Sequence, residues 1–259
     1  MDQQQPMYWR MAMVSHVGRV RVRNEDYVCC AEEMGLAVLT DGMGGHAGGA
    51  VASRLAAEAW MAHMQLVVAQ RTVDAGELRA AVAAANQSVF DEAQRDPFLQ
   101  HMGTTLAGVC VCPSSGRLLA CHVGDSRIYR WRSDVLDCLT RDHSVLREQS
   151  DAGMIDPLGS GSAALRGLLT RAVGVAVCVE ADVADFPLQD GDIYLLCSDG
   201  LTDMLPDAEI ADVLGALGGA PRLAAEHLVD MANDRGGVDN VSVVIVSSRR
   251  AGRLGTELD

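Results

Sequence analysis

Residues 36–53 read LAVLTDGMGGHAGGAVAS, and this stretch decides the fold. Its first five residues are apolar and β-branched enough for a buried strand, and the run stops at Asp41-Gly42, a turn dipeptide. Glycines then bend the backbone, and the apolar spacing of a helix sets in from Gly49. The local unit is therefore a strand that ends on an acid and gives way to a helix. Working outward, short apolar runs bounded by Gly, Asp and Asn recur at 11–17, 27–31, 104–112, 117–123, 127–131, 192–197 and 241–247, and these predict strands. Pro113-Ser114-Ser115-Gly116 is too short to hold a crossover helix, so the pairing is mainly antiparallel. Helical spacing marks 49–70, 75–94 (Leu78, Val82, Ala85 and Val89 lie three or four apart), 207–217 and 221–233. Two helix pairs separated by strands give an α+β fold class, with mainly antiparallel sheets carrying helix pairs on their outer faces.

The 259 residues are 49% hydrophobic, enough for one sizeable core, and nothing along them reads as a linker. One domain is expected over 1–248. Residues 249–259 are polar and unpatterned and read as a fraying tail; 153–168, rich in Gly, Ser and Ala without a period, read as a loop inside the domain. With 21 Lys and Arg against 35 Asp and Glu, the net charge of -14 argues against nucleic acid or an anionic membrane surface as a partner. The eight cysteines stand singly in apolar runs with no CxxC pair, which reads as reduced core thiols. No apolar leader opens the chain, and no run approaches the ~18 to 20 apolar residues of a membrane span. A cytoplasmic monomer is the expectation.

Three strands each run into an aspartate: 36–40 into Asp41, 121–124 into Asp125, and 193–198 into Asp199. A fourth acid, Asp239, stands just before the strand that begins at Val241. One Asp-Gly after a strand is usually a turn, but four acidic strand ends on one edge would repel strongly unless cations neutralise them. An all-oxygen site of this kind selects hard ions such as Mg²⁺ or Mn²⁺. Arg21, Arg23, Glu25 and Asp26 crowd the start of another strand, and a guanidinium beside such a cluster matches two oxygens of a phosphoryl group. The chemistry that follows is phosphate hydrolysis by metal-activated water.

The blocks VRVRNED, LAVLTDGMGGHAGGAVAS, MGTTLAGV, HVGDSRIYR, LTRDHS, LLTRAVG, IYLLCSDGLTDML and GGVDNVSVVIV, in this order, resemble the successive signatures of the bacterial PPM (PP2C-type) protein phosphatases. The resemblance covers about residues 14–246. It implies an α-β-β-α sandwich with a dinuclear Mg²⁺ or Mn²⁺ centre and a phosphoserine or phosphothreonine protein as substrate, opposed by a cognate serine/threonine kinase. Carried over by position, Asp41 resembles the ligand that bridges two metals. Glu25 and the carbonyl of Gly42 resemble partners of one metal, and Asp199 and Asp239 ligands of the other. Asp125 resembles the residue that with Asp199 holds a third, weaker metal. Arg21 matches the phosphate-binding arginine. Asp26 resembles the carboxylate that holds the water of the metals, and Asn240 the residue that orients Asp239 or such a water. His46 resembles the histidine that protonates the leaving group, its other reading being a residue of the helix start. Relatives carry an acidic stretch and a His-Pro element after the position of Gly153, where this chain has IDPLGSGS; the resemblance makes 153–168 the flap over the site, where substrate preference carries over least.

Two rival functions are open to the same residues. Gly42-Met43-Gly44-Gly45-His46-Ala47 fits GxGxxA, a dinucleotide-binding pattern, yet Asp41 would face a pyrophosphate and no acid stands about twenty residues on. A phosphatase-like domain that binds without turnover is the other, and the complete acid set with Arg21 speaks against it. His122 reads as a packed strand residue and His143 as structural, with Ser144 the N-cap of a following helix.

Overall fold

The computed structural model describes residues 7–44, 48–112, 115–156 and 163–250. Two antiparallel sheets lie face to face. One has the order β1 (Met7–His16), β11 (Val241–Arg250), β10 (Ile193–Cys197), β7 (Arg127–Arg132), β8 (Val135–Cys138). The other runs β2 (Asp26–Ala31), β3 (Leu36–Met43), β5 (Leu106–Cys112), β6 (Arg117–Val123), β9 (Asp182–Pro187), with the short β4 (Gly103–Thr104) on the end of β3.

Alternation along each strand builds three cores. On β3, Leu36 and Val38 point outward to α1 (Gly48–Gln70) and α2 (Ala75–Arg95), whereas Ala37 and Leu39 point inward to the second sheet. On β10, Ile193, Leu195 and Cys197 face α5 (Asp207–Leu217) and α6 (Pro221–Asp234), and Tyr194 and Leu196 face inward. Central strands are thus buried on both faces, which is why they read as unbroken apolar runs. Burying each such leucine stabilises the fold by roughly 1.5 to 3 kcal/mol. Trp60 of α1 is fully buried over Gly108 of β5, where a Cβ would come within 2.8 Å of the indole. The layers are α-β-β-α, as the resemblance implied.

Several elements depart from the sequence reading. β1 begins four residues earlier than expected, and β8 and β9 were not expected at all. The expected strand over 104–112 breaks at Thr105, whose hydroxyl and amide bind the Asp41 peptide instead of a ladder. β11 takes in Arg249 and Arg250 opposite Tyr8 and Met7, so the ordered pairing runs two residues into the expected tail. All eight cysteines are free, but the expectation of core thiols holds only for Cys110, Cys112, Cys121 and Cys197; Cys138 and Cys178 are exposed. α3 (Val145–Asp151) begins as foreseen, the Ser144 hydroxyl accepting from the Arg147 amide at 3.3 Å. Among the described residues no helix is long and apolar enough to cross a membrane.

Candidate active site

The site forms where β3, β6 and β10 run out at the same end of the sandwich. Asp41 stands two residues before the end of β3 and lies directly opposite Asp26 in the β2–β3 ladder. Its peptide is clamped: the amide donates to the Thr105 hydroxyl at 2.9 Å, and its carbonyl accepts from the Thr105 amide and the Thr104 hydroxyl, both at 2.8 Å. The Thr105 hydroxyl also shares a 2.7 Å hydrogen bond with that of Ser126, which ties the Asp41 strand end to the turn that carries Asp125. Asp199 begins the short α4 (Asp199–Thr202) at the end of β10. Ser198 beside it donates to Asp26 Oδ2 at 2.9 Å and accepts from the Ser242 amide at 3.0 Å.

The loop before β2 is held by Asn240. Its Oδ1 accepts from the Glu25 amide at 2.8 Å, and its Nδ2 donates to the carbonyls of Val17 and Arg23, each at 2.9 Å. The Asn240 side chain orients the Arg21–Glu25 loop, and only its backbone amide reaches Asp239, donating to Oδ1 at 2.8 Å. Arg21, about half exposed on the rim, donates to Asp239 Oδ2 at 2.6 Å. Gly42 is forced by space: a Cβ there would stand 2.0 Å from the Gly49 carbonyl oxygen.

These groups line a cleft of about 620 Å³ that Gly167 and Leu169 bound on the side of the 153–168 segment. Arg21, Glu25, Asp41, Gly42, Asp125, Asp199, Asp239 and Asn240 all line it, and Asp26 lies buried behind Asp41. His46 falls outside the described residues, as do residues 157–162 of the expected flap.

The electrostatics are those of crowded acids. Burial, then the neighbouring Asp26, Asp199 and Asp125, holds the Asp41 carboxyl well above the carboxylate range. Asp199 is pushed up to about 8 by burial and then by Asp125, Asp203 and Asp239. Burial foremost lifts Asp26 and Asp125 each to about 6, and raises Glu25. Asp26 Oδ1 is buried with no hydrogen-bond partner among the described residues. An all-oxygen set this short of positive charge fits hard divalent cations and nothing softer. It does not fit a dinucleotide, because Gly49 in the first turn of α1 has the Glu25 carboxyl carbon only 2.8 Å from where its Cβ would be, and a pyrophosphate would meet that carboxylate.

Sequence reasoning missed the hydroxyls of Thr104, Thr105, Ser126 and Ser198, and it missed Asp203, whose pKa burial also raises. Their adjacency to acids, as in GDS and CSDG, was the available signal.

A family model described as protein phosphatase 2C matches residues 16–231. The chain belongs to the protein phosphatase 2C family. It is 35% identical over 236 residues to the serine/threonine phosphatase stp of Listeria innocua, across 88% of this chain and 92% of that one. The crystal structure of the Mycobacterium tuberculosis serine/threonine phosphatase PstP superposes with a TM-score of 0.82 at 36% identity, covering 92% of this chain and 98% of that one. A catalytic domain of PstP in complex with two manganese ions matches with a TM-score of 0.80 at 34% identity, over 94% and 99%. This protein phosphatase 2C is accordingly a metal-dependent serine/threonine phosphatase that acts on phosphoproteins with Mg²⁺ or Mn²⁺. The reading as a binding domain without turnover falls away with that assignment.

Proposed function

We propose that Asp41, Glu25 and the carbonyl of Gly42 hold one divalent ion, that Asp41, Asp199 and Asp239 hold a second, and that Asp125 with Asp199 holds a third, weaker one. The observation that carries this reading is the gathering of acids whose burial and mutual repulsion raise their pKa values in one cleft. When bound, the ions offset that repulsion and make hydroxide available as a nucleophile near neutral pH.

The chain's own groups do the rest. Arg21, on the rim, offers its planar fork to two phosphoryl oxygens and orients the phosphorus toward the acids. Asp26, whose Oδ1 has no partner among the described residues, orients the attacking water. As the P–O bond breaks, the serine or threonine oxygen needs a proton, and His46 is the candidate donor by resemblance. Asn240 and Thr105 keep the loop and the strand end in register.

A cognate bacterial serine/threonine kinase supplies the phosphoprotein in this reading, and the chain acts as a monomeric domain. Eight free thiols suit a reducing cytoplasm. The test is release of phosphate from a phosphothreonine peptide by protein stripped with EDTA. Release is expected only after Mn²⁺ or Mg²⁺ is returned, and to be lost in Asp41→Asn and Asp239→Asn. Wild-type activity in either variant at limiting Mn²⁺ would remove that residue from the ligand set.

A further inference from the structure

We propose that His143 is a positioning residue, which fixes the Gly124–Asp125 turn and through it the weakest metal site; this rests on reading Asp125 as a ligand of that site. Both backbone polar groups of Gly124 go to this one residue. The Gly124 amide donates to His143 Nδ1 at 3.2 Å, and the Gly124 carbonyl accepts from the His143 amide at 2.9 Å. The turn itself needs glycine, since φ is +101° and a Cβ would lie 2.6 Å from Thr105 Cγ2. Asp125 follows immediately, so its direction is set by how Gly124 is held.

The imidazole is fixed from every side. His143 is 1% exposed, and the ring of His122 stacks on it with centroids 4.4 Å apart. Its Nε2 lies 3.4 Å from Asp182 Oδ2 without hydrogen-bond alignment, and Arg171 Nη1 holds the other Asp182 oxygen at 2.7 Å. One residue upstream, Arg127 grips both oxygens of Asp142 at 2.9 and 2.8 Å. One further bond, from the Thr170 amide to the His143 carbonyl at 2.9 Å, ties the same residue to the chain beyond the 153–168 segment.

An Nδ1 that accepts leaves the proton on Nε2. Burial, with His122 and Arg171 close by, pushes the pKa down to about 4, so the accepting lone pair persists at neutral pH. The same tautomer argues against a cation shared by His122, His143 and Asp182, although their ligand atoms lie within 4.8 Å, because Nε2 has no lone pair to give.

The test compares His143→Asn, which keeps an acceptor near the Nδ1 position, with His143→Gln, which moves it outward. Mn²⁺ binding is followed by the resonance of the free ion, and phosphate release is measured in parallel. Supporting groups around metal ligands are worth roughly 10- to 100-fold in affinity, so Gln should weaken the weakest Mn²⁺ by about tenfold or more while Asn stays within about threefold. In an Asp125→Asn background the Gln change should have no further effect. Equal losses for Asn and Gln, losses of the same size in both backgrounds, or a wild type with no third Mn²⁺ would each overturn the proposal. Normal binding differences without any phosphate release would instead leave it standing and sink the catalytic reading.

Discussion

Arg21 meets a carboxylate on the rim, and the contact to phosphate proposed for it would be worth roughly 1.5 to 3 kcal/mol as a charge-assisted hydrogen bond. Arg21→Ala should therefore raise KM for a phosphopeptide about tenfold or more with a smaller change in kcat, as steady-state kinetics will read. A loss confined to kcat would move the residue to transition-state stabilisation. His46 is tested by leaving-group chemistry. p-Nitrophenolate departs without a proton and a threonine alkoxide does not, so His46→Ala should slow phosphothreonine-peptide hydrolysis by ~10²-fold and p-nitrophenyl phosphate hydrolysis far less. Equal losses on both would assign His46 to the helix start. The acids were legible because four of them stand at or beside strand boundaries, where one would pass for a turn and four together do not. The hydroxyls of Thr105 and Ser198 were not legible, because serine and threonine stand in every turn and only the folded register shows which ones touch Asp41 and Asp26.

Elements differ in the same way. β3, β5 and β10 are buried on both faces and announce themselves as apolar runs, whereas β9 is an edge strand reading Asp-Val-Ala-Asp-Phe-Pro with no residue fully buried. β8 is reached through Ser133 and Asp134, both at positive φ, a hairpin turn without the Asn-Gly that would have signalled it. Short and edge-bound, these strands are too brief or too irregular to show the hydrophobic pattern from which strands are read. The loop from residue 17 to Glu25 has no ladder to hold it, and Asn240 binds it at three points, beside the bonds of Arg19, Arg21 and Asn24. Asn240→Ala leaves an amide and two carbonyls without their partner, at a cost of about 1 to 3 kcal/mol for each group that water cannot reach. The expected outcome is a lower melting temperature together with a raised Mn²⁺ requirement and a raised KM; a change in melting temperature alone would separate the loop from the site.

For the molecule as a whole, the acid cluster sets the pH dependence of stability. Asp26 and Asp125 near 6 and Asp199 near 8 all lie above their unfolded values, so the folded state binds more protons than the unfolded one across that range. Stability without metal is therefore full below about pH 4 for these groups and falls as pH rises through 6 and 8. Thermal unfolding in EDTA should show a midpoint that declines from pH 5 to 8.5, less steeply in Asp199→Asn, with saturating Mn²⁺ removing the difference between pH values. A midpoint that rises over that range in EDTA would contradict the crowding described for the cleft. The pairing of β1 with β11, Met7 opposite Arg250, has a consequence during synthesis. Arg21 and Glu25 leave the ribosome more than two hundred residues before Asp239, Asn240 and the strand between β1 and β10. A nascent chain arrested before residue 239 lacks a wall of its cleft and the middle of one sheet, so the cleft closes only once β11 has been made.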